Sequence, residues 1–204
     1  MHKRSYYIIN AITFYRLLAA PILIFMIFNG NFNLFKWMLA VSFFTDLIDG
    51  FLARKFGTES VFGARLDSLG DDLTVIAAII GIFVFKMQFV KDNLVIASIV
   101  FGLLIIQNIF ALVRYHKISS FHTYSAKAAA ILQGAFLILI FFLPHPNYFL
   151  FYAASVVTAL DLAEEIILVL ILPKWEANVK GIYWVLKRKS KNEEPTKGRD
   201  YQFQ

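Results

Sequence analysis

Polar residues interrupt this chain at regular intervals, and between the interruptions it is apolar almost throughout. Six apolar blocks result, at 8–28, 34–54, 62–86, 93–114, 124–144 and 148–172. Each approaches the roughly 20 residues that cross a bilayer as a helix. The breaks carry turn chemistry: "NGN" at 29–31, "PHPN" at 144–147, and Pro173 after the last block. Strand-like alternation is absent, so the pattern predicts helices. Within lipid, a helix satisfies its own backbone. The expected fold is therefore an all-α integral membrane protein with six transmembrane helices. Asn10, Thr13 and Arg16 interrupt the first block and no small-residue cleavage site follows it, so it is read as a first membrane helix.

Beyond the sixth block, "WEANVKGIYWVLKRKS" at 175–190 is expected to lie in the interface as an amphipathic helix, with Trp175, Ile182, Trp184 and Leu186 toward lipid. The final "KNEEPTKGRDYQFQ" has the polar composition of a flexible tail. The expected organisation is one membrane domain over 1–173 and a basic tail over 174–204.

Charge orients the bundle. Lys3 and Arg4, Arg54 and Lys55, Arg114 and Lys117, and the Lys- and Arg-rich tail all fall on the side that holds both termini. The positive-inside rule makes that side cytoplasmic. The chain has 204 residues, is 59% hydrophobic and carries a formal net charge of +6, with a mean hydropathy of +0.64. In such a chain the excess charge suits anionic headgroups, not nucleic acid. With no cysteine, thiolate metal sites and disulfides are excluded.

Against this background the stretch "DLIDGFLARKFGTESVFGARLDSLGDD" (46–72) is anomalous. Asp46, Asp49, Gly50 and Ala53 share one helical face of the second block, and Gly63, Asp67 and Asp71 share one face of the third. A short loop makes the two helices antiparallel neighbours, with Asp49 opposite Asp67 and Asp46 opposite Asp71. At about 1.5 Å per residue, Asp49 and Asp46 lie roughly 8 and 12 Å inward from Arg54. Four carboxylates thus converge in the cytoplasmic third of the membrane. Unpaired, they would be costly, and they would take up protons or gather cations. An all-oxygen site suits Mg²⁺, Mn²⁺ or Ca²⁺. Four carboxylates suit two such ions, an arrangement used in in-line phosphoryl displacement. Gly50, Ala53 and Gly63 leave room between the helices, which also serves close packing by itself.

The residues Asp46-Leu-Ile-Asp49-Gly50-Phe-Leu-Ala53-Arg54, then eight residues, then Gly63-Ala-Arg-Leu-Asp67-Ser-Leu-Gly-Asp71, resemble the signature of the CDP-alcohol phosphotransferases, D-x2-D-G-x2-A-R-x8-G-x3-D-x3-D. Every fixed position is present. The resemblance implies transfer of a substituted phosphate from a CDP-linked donor to an alcohol, with release of CMP. It implies that Asp46, Asp49, Asp67 and Asp71 hold two divalent cations, Mg²⁺ or alternatively Mn²⁺, and that Asp71 is also the general base. Gly50 and Arg54 would contact the CDP moiety beside Ala53 and Gly63, and Ser60 would touch the donor phosphates. "NAIT", with Asn10 and Thr13, followed by Arg16, resembles the first-helix stretch that lines the nucleotide pocket. Length and layout resemble the bacterial phospholipid-synthesis branch, which implies CDP-diacylglycerol as donor and the bacterial inner membrane as location. Family analogy also suggests a homodimer.

The acceptor stays open among glycerol 3-phosphate, inositol phosphate and serine. Glycerophosphate-type members read "LDP-x-ADK" where this chain reads "LDSLGDD", with Asp72 in place of the Lys. The Ser-Phe-Gly run of the serine type is replaced by "LTVIAA". An anionic acceptor needs cations, and Arg65, Arg114 and Lys127 are the candidates; Arg65, two residues before Asp67, falls off the aspartate face. The other two have plain alternatives: a positive-inside flank for Arg114 and snorkelling to the headgroups for Lys127. Asp161, Glu164 and Glu165 would orient a basic residue or line the acceptor pocket, or form a structural ion pair with Arg16 or another helix. Two other functions use the same aspartates: a divalent-cation transporter, and a catalytically silent membrane scaffold. Carboxylates displaced to one side of the membrane disfavour the first, and the intact signature disfavours the second.

Overall fold

The computed structural model describes residues 18–56, 61–116, 121, 123–176 and 179–193; for 46–47, 49–56, 61–68 and 189–193 it describes the backbone alone. The described residues are helical, without a strand. The elements are α1 (Leu18–Phe28), α2 (Phe32–Phe56), α3 (Val61–Phe85), α4 (Met87–Asp92), α5 (Leu94–Tyr115), α6 (Tyr124–Phe142), α7 (Tyr148–Ile171) and α8 (Ile182–Glu193). The five long helices α2, α3, α5, α6 and α7 fall on the second to sixth apolar blocks, and α1 on the described end of the first. α5 and α6 are long and apolar enough to cross a membrane, with little of either buried inside the protein. Large side chains such as Phe28, Val95, Val113, Ile131 and Phe149 are more than two-thirds exposed. In water such a surface would aggregate; it fits a lipid surround.

The breaks are made as their residues dictate. Gly30 takes φ +69°. Its N–H donates to Ile27 O at 3.1 Å and that of Asn31 to Met26 O at 3.0 Å, a paired closure of the helix end that needs a residue free to be left-handed. α7 stops before Pro173, and the carbonyl of Leu172, the residue just after it, is capped from α5: Tyr115 Oη donates to Leu172 O at 2.9 Å and Arg114 Nε at 3.3 Å.

Two compact units are present. The first comprises 1–94 and 134–147, the second 95–133 and 148–204. In the first, α2 packs on α3 around an aromatic core. Phe35, fully buried, meets Phe141 edge-on with centroids 5.0 Å apart, and Phe32 meets Phe85 at 5.2 Å. Gly81 makes room for this core, since a Cβ there would sit 2.5 Å from Phe35 Cζ. In the second, Ala111, Phe121, Leu168, Val169, Leu172, Val179 and Val185 form one buried cluster.

The C-terminal segment differs from the sequence expectation. The helix begins at Ile182, not at Trp175. Gly181, at φ +144°, precedes its first turn. Ile182 packs against the buried cluster and Val185 belongs to it, while Tyr183, Trp184 and Leu186 are exposed. Once the chain folds back onto α7, the apolar face of α8 is shared between protein and surface.

Candidate functional site: the facing stripes of α2 and α3

On α2 one helical face carries residues at alternating spacings of four and three: Phe35, Leu39, Ser42, Asp46, Asp49. On α3 the corresponding stripe is Asp67, Asp71, Thr74, Ala78, Gly81, Phe85. This is the spacing of a packed helix seam. Phe35, Leu39 and Ser42 are buried, as are Thr74 and Ala78.

At the apolar end the Phe35 ring lies on Gly81. Counted from that contact along antiparallel helices, the expected neighbours are Ser42 with Thr74, Asp46 with Gly70 and Asp71, and Asp49 with Asp67. Each helix changes along its length from an apolar half, through one layer of hydroxyls, to the carboxylate positions.

Asp71 has a described side chain in this group. It is half-buried and its Oδ1 is shielded from solvent. Asp72, one position on, is exposed, as the helical rotation requires. Thr74 Oγ1 donates back to Gly70 O at 2.8 Å and Thr45 Oγ1 to Ser42 O at 2.9 Å. For Asp46, Asp49, Gly50, Ala53, Arg54, Gly63, Arg65 and Asp67 only the helical backbone is described, and Asn10, Thr13, Arg16 and Ser60 lie outside the described residues. Among the described residues no group of three or more His, Cys, Asp or Glu side chains is placed to hold a metal. The donor set offered by the α2–α3 seam is all carboxylate, with a shielded oxygen on Asp71. That chemistry fits Mg²⁺ or Mn²⁺.

The other intramembrane acids are arranged quite differently. Asp161 Oδ1 accepts from Thr123 Oγ1 and Ser125 Oγ, both at 2.9 Å. Ser125 Oγ also donates to Glu164, whose Oε1 accepts the Ile182 N–H at 2.9 Å. Glu165 Oε2 accepts from Gln107 Nε2 at 2.7 Å. These acids knit the start of α6 and the start of α8 to α7. Thr123 in turn caps α6, accepting the Ala126 N–H at 3.0 Å. A cavity of about 330 Å³ adjoins the network, lined among others by Gln107, Asn108, Gln133, Thr158, Asp161 and Glu165. Its lining carries two acids and no Lys or Arg, which suits an anionic acceptor poorly.

Neither Arg114 nor Lys127 lines that cavity. Arg114 is exposed, with its Nε on Leu172 O. Lys127 is exposed, with its Nζ 5.5 Å from the Tyr124 ring centroid. Sequence reasoning missed the Thr123–Ser125 pair; the signal was present in "HTYS", a helix-capping run just before an apolar block.

Comparison with known proteins follows the same lines. A 66-residue stretch is 39% identical to the chloroplastic CDP-diacylglycerol–glycerol-3-phosphate 3-phosphatidyltransferase 1 of Oryza sativa, covering 32% of this chain and 20% of that protein. A 76-residue stretch is 32% identical to the cardiolipin synthase (CMP-forming) of Homo sapiens, covering 37% and 25%. A 77-residue stretch is 40% identical to the CDP-diacylglycerol–glycerol-3-phosphate 3-phosphatidyltransferase of Cereibacter sphaeroides, covering 35% and 34%. The matched stretches thus span well under half of these relatives. No solved structure gives a significant match. The profile of the CDP-alcohol phosphatidyltransferases matches residues 6–169, a stretch that holds α1 to α6 and most of α7; the chain belongs to the CDP-alcohol phosphatidyltransferase family.

Proposed function

We propose that this protein transfers a phosphatidyl group from CDP-diacylglycerol to a small water-soluble alcohol, releasing CMP, and that it does so from the cytoplasmic face of a bacterial inner membrane. The observation that carries the reading is the α2–α3 pair: an intact family signature runs along two helices that pack on each other. Relatives named for glycerol-3-phosphate transfer make glycerol 3-phosphate the first acceptor to test.

In this reading Asp46, Asp49, Asp67 and Asp71 hold two Mg²⁺ ions. Bound there, the ions supply charge neutralisation at the donor pyrophosphate and a better CMP leaving group. Asp71 accepts the proton of the acceptor hydroxyl as its oxygen attacks the phosphorus of the phosphatidyl group. The new ester bond forms as the bond to the CMP oxygen breaks. Arg54 and Ser60 bind the donor phosphates, and Asn10 and Thr13 line the nucleotide pocket. Gly50, Ala53 and Gly63 keep the donor's path free of side-chain bulk.

The test is CMP release by the purified full chain in detergent with CDP-diacylglycerol and Mg²⁺. Glycerol 3-phosphate, inositol phosphate, serine and a glycerol-headgroup lipid are offered one at a time. Acceptor-dependent release that disappears in Asp71→Asn supports the proposal and names the product. Folded protein that binds Mn²⁺ yet releases no CMP with any acceptor would instead favour the silent scaffold.

A further inference from the structure

Ser42 is fully buried on α2, and its Oγ has no hydrogen-bond partner. Buried polar groups are nearly always paired, and an exception calls for a reason. The neighbouring hydroxyls show the ordinary solution: Thr45 and Thr74 each turn back onto a carbonyl of their own helix. Ser42 does not. It sits in the α2 stripe, directly after the apolar residues Phe35 and Leu39 and one turn before Asp46. A side chain on a helix leans toward the N-terminal end, over the turn that precedes it. The side chain at position 46 is therefore expected over Ser42.

We propose that Ser42 is a positioning residue of the cation site, its hydroxyl donating to the Asp46 carboxylate when that carboxylate ligates a divalent ion. This rests on the cation-binding reading of the four aspartates. A ligating carboxylate needs a second hydrogen bond to hold its orientation, and such outer partners commonly matter about 10- to 100-fold in metal affinity. A serine at the floor of the site supplies that bond from inside the seam, where water is excluded. A serine kept only because it is small predicts the opposite: alanine would serve as well.

The experiment measures Mn²⁺ affinity by electron paramagnetic resonance on the purified full chain in detergent, beside thermal stability without metal. Ser42→Ala is expected to weaken Mn²⁺ binding about 10-fold or more while leaving metal-free stability equal or higher, since an unpaired buried hydroxyl is removed. Ser42→Cys keeps the bulk with a much weaker donor and is expected to weaken binding in the same direction. Thr45→Val, which removes a hydroxyl already bound to its own helix, is expected to leave affinity unchanged. Unchanged affinity in both Ser42 variants overturns the inference and leaves the cation site standing. Parallel loss of affinity and metal-free stability also overturns it, in favour of packing. If the wild-type chain binds no Mn²⁺ and Asp46→Asn changes nothing, the cation reading falls and this inference with it.

Discussion

Both units place acids inside apolar helices, and the two placements have different consequences. In the second unit, Asp161, Glu164 and Glu165 lie on one helix, and uncharged donors from elsewhere in the unit meet them: Thr123, Ser125, Gln107 and the Ile182 N–H. In the first unit, the aspartates of the signature are carried on two helices that pack on each other, and the pairing expected from the sequence sets carboxylate against carboxylate. An acid answered by hydroxyls and amides is consumed in holding helices together. Acids set against acids retain the capacity to gather cations. The contrast separates a structural network from a candidate centre, although both read in the sequence as charge in oil.

The comparison breaks most sharply through Asp71. Asp71→Asn is expected to lower CMP release by about 10²–10⁴-fold, the usual range for a lost acid–base group, with little change in thermal stability. An equally large loss of folded protein would place Asp71 among the structural acids instead. Chelation comes next. EDTA is expected to abolish release and added Mg²⁺ to restore it, while the second unit's network, built on uncharged donors, holds its helices in place. Melting of the protein on chelation alone would mean that the ions are part of the fold.

The structural acids should answer in the opposite way. Glu165→Ala removes the acceptor of Gln107 Nε2, and an unmet buried amide costs about 1–3 kcal/mol. The expected result is a lower unfolding midpoint with release per folded molecule retained. Gly81→Ala probes the apolar half of the seam. Its Cβ would meet Phe35, which Phe141 hems in, so overpacking of about 1–3 kcal/mol is expected. If the displaced Phe35 shifts the register, release falls as well. The smallest effect belongs to Glu164→Gln. It keeps an acceptor for the Ile182 N–H but removes the negative charge from the start of α8, worth about 0.3–1 kcal/mol. Faster amide exchange in α8, with α2 and α3 unchanged, is the signature to look for.

Much of this was legible in the residues. "NGN", "PHPN" and Pro173 marked helix ends because each offers the left-handed, rigid or donor-less backbone that a break needs. Spacings of three and four placed Asp46 with Asp49 and Asp67 with Asp71, because one turn of a helix returns a side chain to the same face.

What the sequence by itself determined is therefore local and periodic: an all-helical chain, the helical spacing of its acids, and a signature whose spacing carries its family. The tertiary structure decided which groups from distant parts of the chain meet those acids. Asp161 and Glu165 looked like an acceptor pocket or an ion pair until folding brought Thr123, Ser125 and Gln107 against them. Arg114 looked like a phosphate ligand or a flank until its Nε was found on the carbonyl of Leu172, just past α7. Ser42 carried no signal until packing buried its hydroxyl without a partner. The reason is physical. Periodicity is a property of neighbours along the chain, whereas hydrogen bonding of a buried group depends on what the rest of the chain brings within 3 Å or so of it.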